Sequence, residues 1–270
     1  MSVFTCRTCG VQSPGAAGGL PERCIICDDP RQYIGWGGQR WATLEDLRGE
    51  GFSTSLRELE PDLFALQVEP KMAIGQHGLI VRTEQGNMLW DVPGFVDEAA
   101  FAAVEALGGL HAVSASHPHF YGCMVEWATR FDAPIHLPIA DMQHVPRSDP
   151  RIEFYVDEAV PVGGTRLVRV GGHFEGSAVL NWPSGAGGKG VLLTGDSIQV
   201  VMDRNWVSVM WSYPNHIPVD AATLHHIFRT IDPLPFDRIY GGFPGRMIPA
   251  DAEARVRASF DRYLRRIGAR

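Results

Sequence analysis

"SASHPHFYG", residues 114–122, sets two histidines two positions apart directly after a run of small apolar residues. In an extended segment, residues i and i+2 point to the same side, so His117 and His119 reach toward one point. Pro118 between them favours an extended chain. Two readings compete: two ligands of one metal ion, or two histidines of a surface loop. Short histidine patterns recur by accident, so the rest of the chain has to decide.

Working outward, "HAVSAS" (111–116) reads as a strand that delivers the chain to His117. Before it, "LFALQV" (63–68), "HGLIVRT" (77–83) and "NMLWDV" (87–92) read as short strands, with Gln85 and Gly86 turning between the last two. Asp97 caps a helix over "EAAFAAVEAL", whose Phe101, Val104 and Leu107 share a face and which Gly108–Gly109 ends. A second helix over "CMVEWATRF" returns to a strand, "APIHL" (133–137). Residues 152–200 are mainly sheet, with "TRLVRV", "SAVLNW" and "GVLLTG" separated by Gly-rich turns. Two helices close the chain, "DAATLHHIFRTI" and "DAEARVRASFDRYLRRI"; the second carries an apolar stripe of Val256, Phe260, Tyr263, Leu264 and Ile267.

Two later loops repeat the pattern of a ligand at a strand tip beside glycine. "RVGGHFEGS" offers His173 and "VLLTGDS" offers Asp196. Glycine permits close backbone approach, so three such loops would bring His117, His119, His173 and Asp196 together. Three neutral imidazoles and a carboxylate suit zinc or another borderline divalent ion. His77, His111, His136 and His144 read as hydrogen-bonded structural histidines, and the adjacent His225 and His226 cannot both face one ion. Cys123 reads as a small buried residue.

The other four of the five cysteines form two CxxC pairs, Cys6/Cys9 and Cys24/Cys27, 14 residues apart. Each pair supplies two thiolates from one tight turn, and the spacing lets the turns face each other around a structural Zn2+. The competing readings are disulfides, which a reducing cytoplasm disfavours, and a redox CxxC, which lacks a surrounding βαβ pattern. The intervening "GVQSPGAAGGLPER" is too rich in Gly and Pro to build a core, so metal binding must supply most of this segment's folding energy. Four thiolates leave no open coordination position, which makes the ribbon structural or adhesive. Residues 28–50 read as a connector whose Tyr33, Trp36 and Trp41 pin the ribbon to the larger domain, dividing the chain into 1–50 and 51–270.

Composition narrows the function. A net charge of −7 disfavours nucleic acid as a partner, because phosphate-backbone binding needs clustered Lys and Arg. No apolar stretch approaches the roughly 20 residues of a membrane helix, and the first residues lack a secretory signal, so a cytoplasmic protein is expected.

The four segments together resemble the metallo-β-lactamase superfamily over roughly residues 60–250. "SHPHFYG" stands where that superfamily carries its HxHxDH loop, "GGHFEGS" looks like its GHTPGS loop, "LLTGDS" like its strand ending in GD, and "NMLWDVPG" like its early LIDTG strand. The resemblance implies an α+β fold, an αββα sandwich preceded here by the zinc ribbon. Departures from the pattern matter as much. Tyr121 and Gly122 stand where the family's second-metal Asp and His would be, and Gly242 and Phe243 where its last histidine would be. The resemblance therefore implies one metal, Zn2+ or Fe2+, rather than two.

That site implies a metal-dependent hydrolase of a small ester, thioester or lactone-like substrate, in which the cation lowers the pKa of a bound water. Asp196 would complete or orient the site. Asp91, like the family's early aspartate, would accept the free ring N–H of a ligating histidine. Tyr121 would donate to a developing oxyanion, or simply pack its ring beside Phe120. Two alternatives stay open: an iron-dependent oxidoreductase on the same fold, and a non-catalytic binding protein whose ribbon docks a protein partner.

Overall fold

In the computed structural model, which describes residues 2–17 and 19–269, the strand Leu63–Glu69 shows how the layers arise. Successive side chains of a strand point to opposite faces. Leu63 and Ala65 accordingly join one buried cluster while Phe64 and Leu66 join another. The strand Val191–Gly195 does the same, with Val191 and Leu193 on one side and Leu192 on the other. Strands apolar on both faces must be covered on both, and the result is a four-layer sandwich.

Among the described residues, one sheet has seven strands in the spatial order Ile152–Tyr155, Ile135–Pro138, Ala112–Ser114, Gly86–Trp90, Gly78–Thr83, Leu63–Glu69 and Ser53–Glu60. The second has six: Glu158–Ala159, Arg166–Arg169, Ala178–Trp182, Val191–Gly195, Arg238–Gly241 and Met247–Ile248. Met88, Trp90, Leu180 and Leu193 meet between the sheets. The helices Glu98–Ala106 and Met124–Phe131 cover the first sheet through Val104, Trp127 and Ala128. Ala221–Ile231 and Ala252–Arg266 cover the second through Leu224, Ile227, Val256 and Phe260. No helix among the described residues is long and apolar enough to cross a membrane.

The amino-terminal segment folds as a three-stranded antiparallel sheet with Val3–Cys6 between Gln12–Pro14 and Trp41–Ala42. Its four cysteines share a buried cluster with Val92, Phe120 and Tyr121 of the large domain. Gln12 N–H donates to the Gly122 carbonyl at 3.2 Å, and Gln76 Nε2 to the Cys9 carbonyl at 3.3 Å.

Several local expectations change. Residues 118–120 form a 3-10 turn rather than an extended link: Pro118 takes the first helical position, where its missing N–H costs nothing. Tyr33 and Trp36 do not pin the ribbon, for Tyr33 is half exposed and Trp36 fully exposed; of the three aromatics only Trp41 packs against the core. The turn before Gly86 lies one residue earlier, at 84–85. The strand Ser53–Glu60 had no clear apolar signal, because as an edge strand it alternates one inward residue with charged ones.

Candidate metal centres

Three strand-tip loops meet at a small set of backbone contacts. Ser116 N–H donates to Asp91 Oδ1 at 2.7 Å, holding the loop that leaves Ala112–Ser114 against the end of Gly86–Trp90. The Ser116 carbonyl accepts from Ala178 N–H at 2.8 Å, which ties that loop to the one carrying His173. Ser197 Oγ donates to the Ala178 carbonyl at 2.8 Å and brings in the Asp196 loop. Gly195 is required here: its φ is +51°, and a Cβ would stand 2.0 Å from Ser116 Oγ and 3.0 Å from Asp91 Oδ2.

The outcome is a cluster of His117, His119 and His173, one nitrogen of each lying within 4.8 Å of the other two. Ring centroids are 4.9 Å apart for His117–His119, 4.8 Å for His117–His173 and 5.3 Å for His119–His173. All three rings are buried, and all three Nε2 atoms have no hydrogen-bond partner in the protein. The Nδ1 atoms of two are engaged. Ser116 Oγ lies 2.9 Å from Nδ1 of His117, and the carbonyls of Met210 and Trp211 accept from Nδ1 of His173 at 3.1 and 3.0 Å. Carbonyls only accept, so His173 carries its proton on Nδ1 and a lone pair on Nε2. Burial drives His117 and His119 well below the ordinary histidine range and His173 down to about 4, which keeps the rings neutral. Three buried, unpaired, neutral nitrogens aimed at one point fit a divalent cation.

The four cysteines make a second centre. All are buried and free; Cys6 and Cys27 Sγ lie 3.6 Å apart, and Cys9 and Cys24 Sγ 3.7 Å apart. A disulfide needs about 2.05 Å. Sulfurs at about 2.3 Å from a tetrahedral ion stand about 3.8 Å from one another, so the spacing fits a metal. The four thiols act on one another: neighbouring sulfurs pull Cys6 and Cys24 down, while burial raises Cys9 and contact with Cys24 raises Cys27.

The remaining sequence-assigned residues fall less simply. The Asp196 carboxylate is not among the converging ligand atoms: Oδ1 accepts from Gln199 Nε2 at 3.0 Å, and burial raises its pKa to about 7. Asp91 does not take a histidine N–H directly. It binds the Ser116 amide, and the Ser116 hydroxyl faces His117; burial pushes Asp91 up to about 8. Tyr121 is buried beside Phe120 in the core cluster, its hydroxyl has no hydrogen-bond partner among the described residues, and burial pushes its pKa well above the ordinary tyrosine range. Burial raises the pKa of the Cys123 thiol, which donates to the Pro93 carbonyl at 3.0 Å.

At two of the positions where the resemblance places second-metal ligands, a side chain has no room. Gly122 has φ +44°, and a Cβ there would meet the Val92 carbonyl oxygen at 2.1 Å. A Cβ at Gly242 would meet the Phe120 ring at 2.3 Å, and the Phe243 ring lies 5.9 Å from that of Phe120. Neither position admits a histidine.

Sequence reasoning passed over several residues near the histidines. Tyr213, whose ring lies 5.3 Å from that of His173, donates through its hydroxyl to the Asp196 carbonyl at 2.9 Å. Asp141, His144 and Glu175 bring ligand-type atoms within 4.8 Å, but Arg31 holds both carboxylate oxygens of Glu175 and Asp141 Oδ1 is taken by the Gly176 amide. Ser116 lies within the "SASHPHFYG" stretch, where only the histidines have metal-ligand chemistry. A serine before a metal-type histidine is the one local signal for its role.

No protein-family model matches the chain. It is 41 % identical over 271 residues to the uncharacterized protein YmaE of Bacillus subtilis (strain 168), across the whole of this chain and 98 % of the relative. Among solved structures, the DIM-1 metallo-β-lactamase is similar with a TM-score of 0.58 at 13 % identity, over 78 % of this chain and 98 % of that one. The metallo-β-lactamase SMB-1 in complex with mercaptoacetic acid gives 0.52 at 16 % identity, over 81 % and 96 %. At these identities the likeness shows the fold.

Proposed function

The chain belongs to the family of the Bacillus subtilis protein YmaE and has a metallo-β-lactamase-like fold, and from that premise we propose that it is a single-metal hydrolase. Its substrate is a small molecule with an ester, thioester or lactone-like bond. The observation that carries this is the convergence of three buried histidines, His117, His119 and His173, each offering one ring nitrogen within 4.8 Å of the other two.

A divalent cation held there, Zn2+ or Fe2+, supplies Lewis acidity and lowers the pKa of a water ligand toward neutrality. Ser116 and the carbonyls of Met210 and Trp211 fix ring orientation, which keeps the Nε2 lone pairs aimed inward. Three neutral ligands leave the cation's charge uncompensated, which favours an anionic fourth partner. Asp196, on the adjacent loop, is the carboxylate we assign to completing the site or orienting the nucleophile. The ribbon's four cysteines hold a structural Zn2+ with no open position.

The test is metal analysis of purified protein followed by a panel of ester, thioester and lactone substrates. Two metals per chain are expected, with one lost in the His117→Ala/His173→Ala variant together with hydrolysis. A single metal in the wild type, two metals retained in that variant, or metal-replete protein without turnover across the panel, defeats the proposal.

A further inference from the structure

The segment 28–32 leaves the last ribbon cysteine and runs directly to the loop that carries His173. Asp28 N–H donates to the Cys24 carbonyl at 3.0 Å, so the segment begins on the knuckle itself. Arg31 is its far end and is only 7 % exposed. Its NH2 donates to both Glu175 oxygens at 2.8 and 3.1 Å, its NH1 donates to Asp29 Oδ2 at 2.8 Å, and its guanidinium lies 4.4 Å from the Phe174 ring centroid and 5.2 Å from that of Trp211. The Arg31 carbonyl accepts from the buried Ser212 Oγ at 2.9 Å, and the Pro30 carbonyl from Asn215 Nδ2 at 3.1 Å.

These partners flank His173 on both sides. Phe174 and Glu175 follow it in the chain, while Met210 and Trp211, next to Ser212, provide the carbonyls that receive its Nδ1–H. The planar fork of arginine suits this place: it pairs with a carboxylate through two bonds while stacking on aromatic rings, which an ammonium cannot do. Glu175 is half exposed, so the ion pair alone contributes little; the buried guanidinium and its ring contacts hold the arrangement.

We propose that Arg31 is a positioning residue through which the ordered four-cysteine knuckle holds the imidazole of His173 in its ligating orientation. The metal occupancy of the two centres is therefore coupled. Such coupling is reciprocal: whatever the filled knuckle adds to affinity at the histidines, the filled histidine site returns to the knuckle. The inference rests on the reading that the three histidines bind a cation, and it adds the route by which the ribbon acts on them.

Cobalt(II) titration of the full-length protein separates the two centres, because thiolate-bound cobalt has intense charge-transfer bands that imidazole-bound cobalt lacks. Arg31→Ala should retain the thiolate bands and weaken cobalt binding at the histidines by tenfold or more, with Arg31→Lys recovering part of the loss. Arg147→Ala is the control, since Arg147 NH1 holds the ribbon through Gln12 Oε1 at 2.7 Å without touching the His173 loop; its histidine-site affinity should stay within twofold of wild type. If Arg31→Ala loses the thiolate bands, Arg31→Lys is read in its place, with a smaller loss of histidine-site affinity at intact thiolate bands. Unchanged affinity in the Arg31 variant so read, or equal weakening in the Arg147 control, overturns the proposal while leaving the hydrolase reading intact. A wild-type protein showing only thiolate bands sinks the hydrolase reading itself.

Discussion

Ser116 Oγ stands 2.9 Å from Nδ1 of His117, and the same residue's amide is held by Asp91. A single serine thus joins the early aspartate to the first metal-type histidine. Groups that orient a ligand's far nitrogen commonly contribute 10–100-fold to metal affinity or activity. Ser116→Ala should weaken the histidine site by about that factor while leaving the cysteine site untouched, measured by competitive chelation. Affinity within twofold of wild type would show that packing alone orients the ring.

Gly122→His would restore a family histidine in sequence but not in space. The left-handed φ and the 2.1 Å approach to the Val92 carbonyl make any side chain costly, by about 2–4 kcal/mol from strain and overpacking together. Urea unfolding should show that loss, and metal content should not rise above that of wild type. A gain of one metal per chain at unchanged stability would contradict the geometry.

His77 gives a pH dependence away from the metal centres. Its Nε2–H donates to the Gly241 carbonyl at 2.9 Å, and burial lowers its pKa to about 4. The unfolded chain takes up the proton near pH 6.5 and the folded chain does not until about 4. The associated stability is therefore complete above about pH 6.5 and is lost as pH falls through the folded value. Between pH 7.5 and 4.5 this amounts to about 2.5 kcal/mol. The difference between wild type and His77→Gln in unfolding free energy should shrink by roughly that amount over the interval, and parallel pH profiles for the two would rule it out.

Trp36→Ala should be nearly silent. Its side chain is fully exposed, and surface substitutions of this kind stay within about 0.5 kcal/mol. A loss above about 1 kcal/mol on urea unfolding would mean that the connector aromatics anchor the ribbon after all.

The parts legible in the sequence were those with short-range signatures. Short, nearly continuous apolar runs in "LFALQV" and "VLLTG" marked strands, and the paired CxxC motifs and the glycine-flanked histidines each sat in a few residues of chain. What escaped depends on distant pairing. Arg31 meets Glu175 across 144 positions, and nothing within residues 28–32 distinguishes it from a solvated arginine. Tyr33, Trp36 and Trp41 stand out as anchors of the connector because aromatic residues usually supply buried area, yet only Trp41 packs against the core, and the strap at 28–32 is held by charge, ring stacking and backbone carbonyls. Pro118 misled for a different reason: its fixed φ serves both an extended link and the first position of a helical turn, and only the surrounding loop decides between them.

The near-complete enclosure of the three imidazoles has a kinetic corollary. His117, His119 and His173 are only 1–2 % exposed, so an ion reaches or leaves their nitrogens through a local opening of the loops that carry them, and exchange with dissolved cations should be slower than at ligands open to water. The rate at which the site fills then reports how often those loops part.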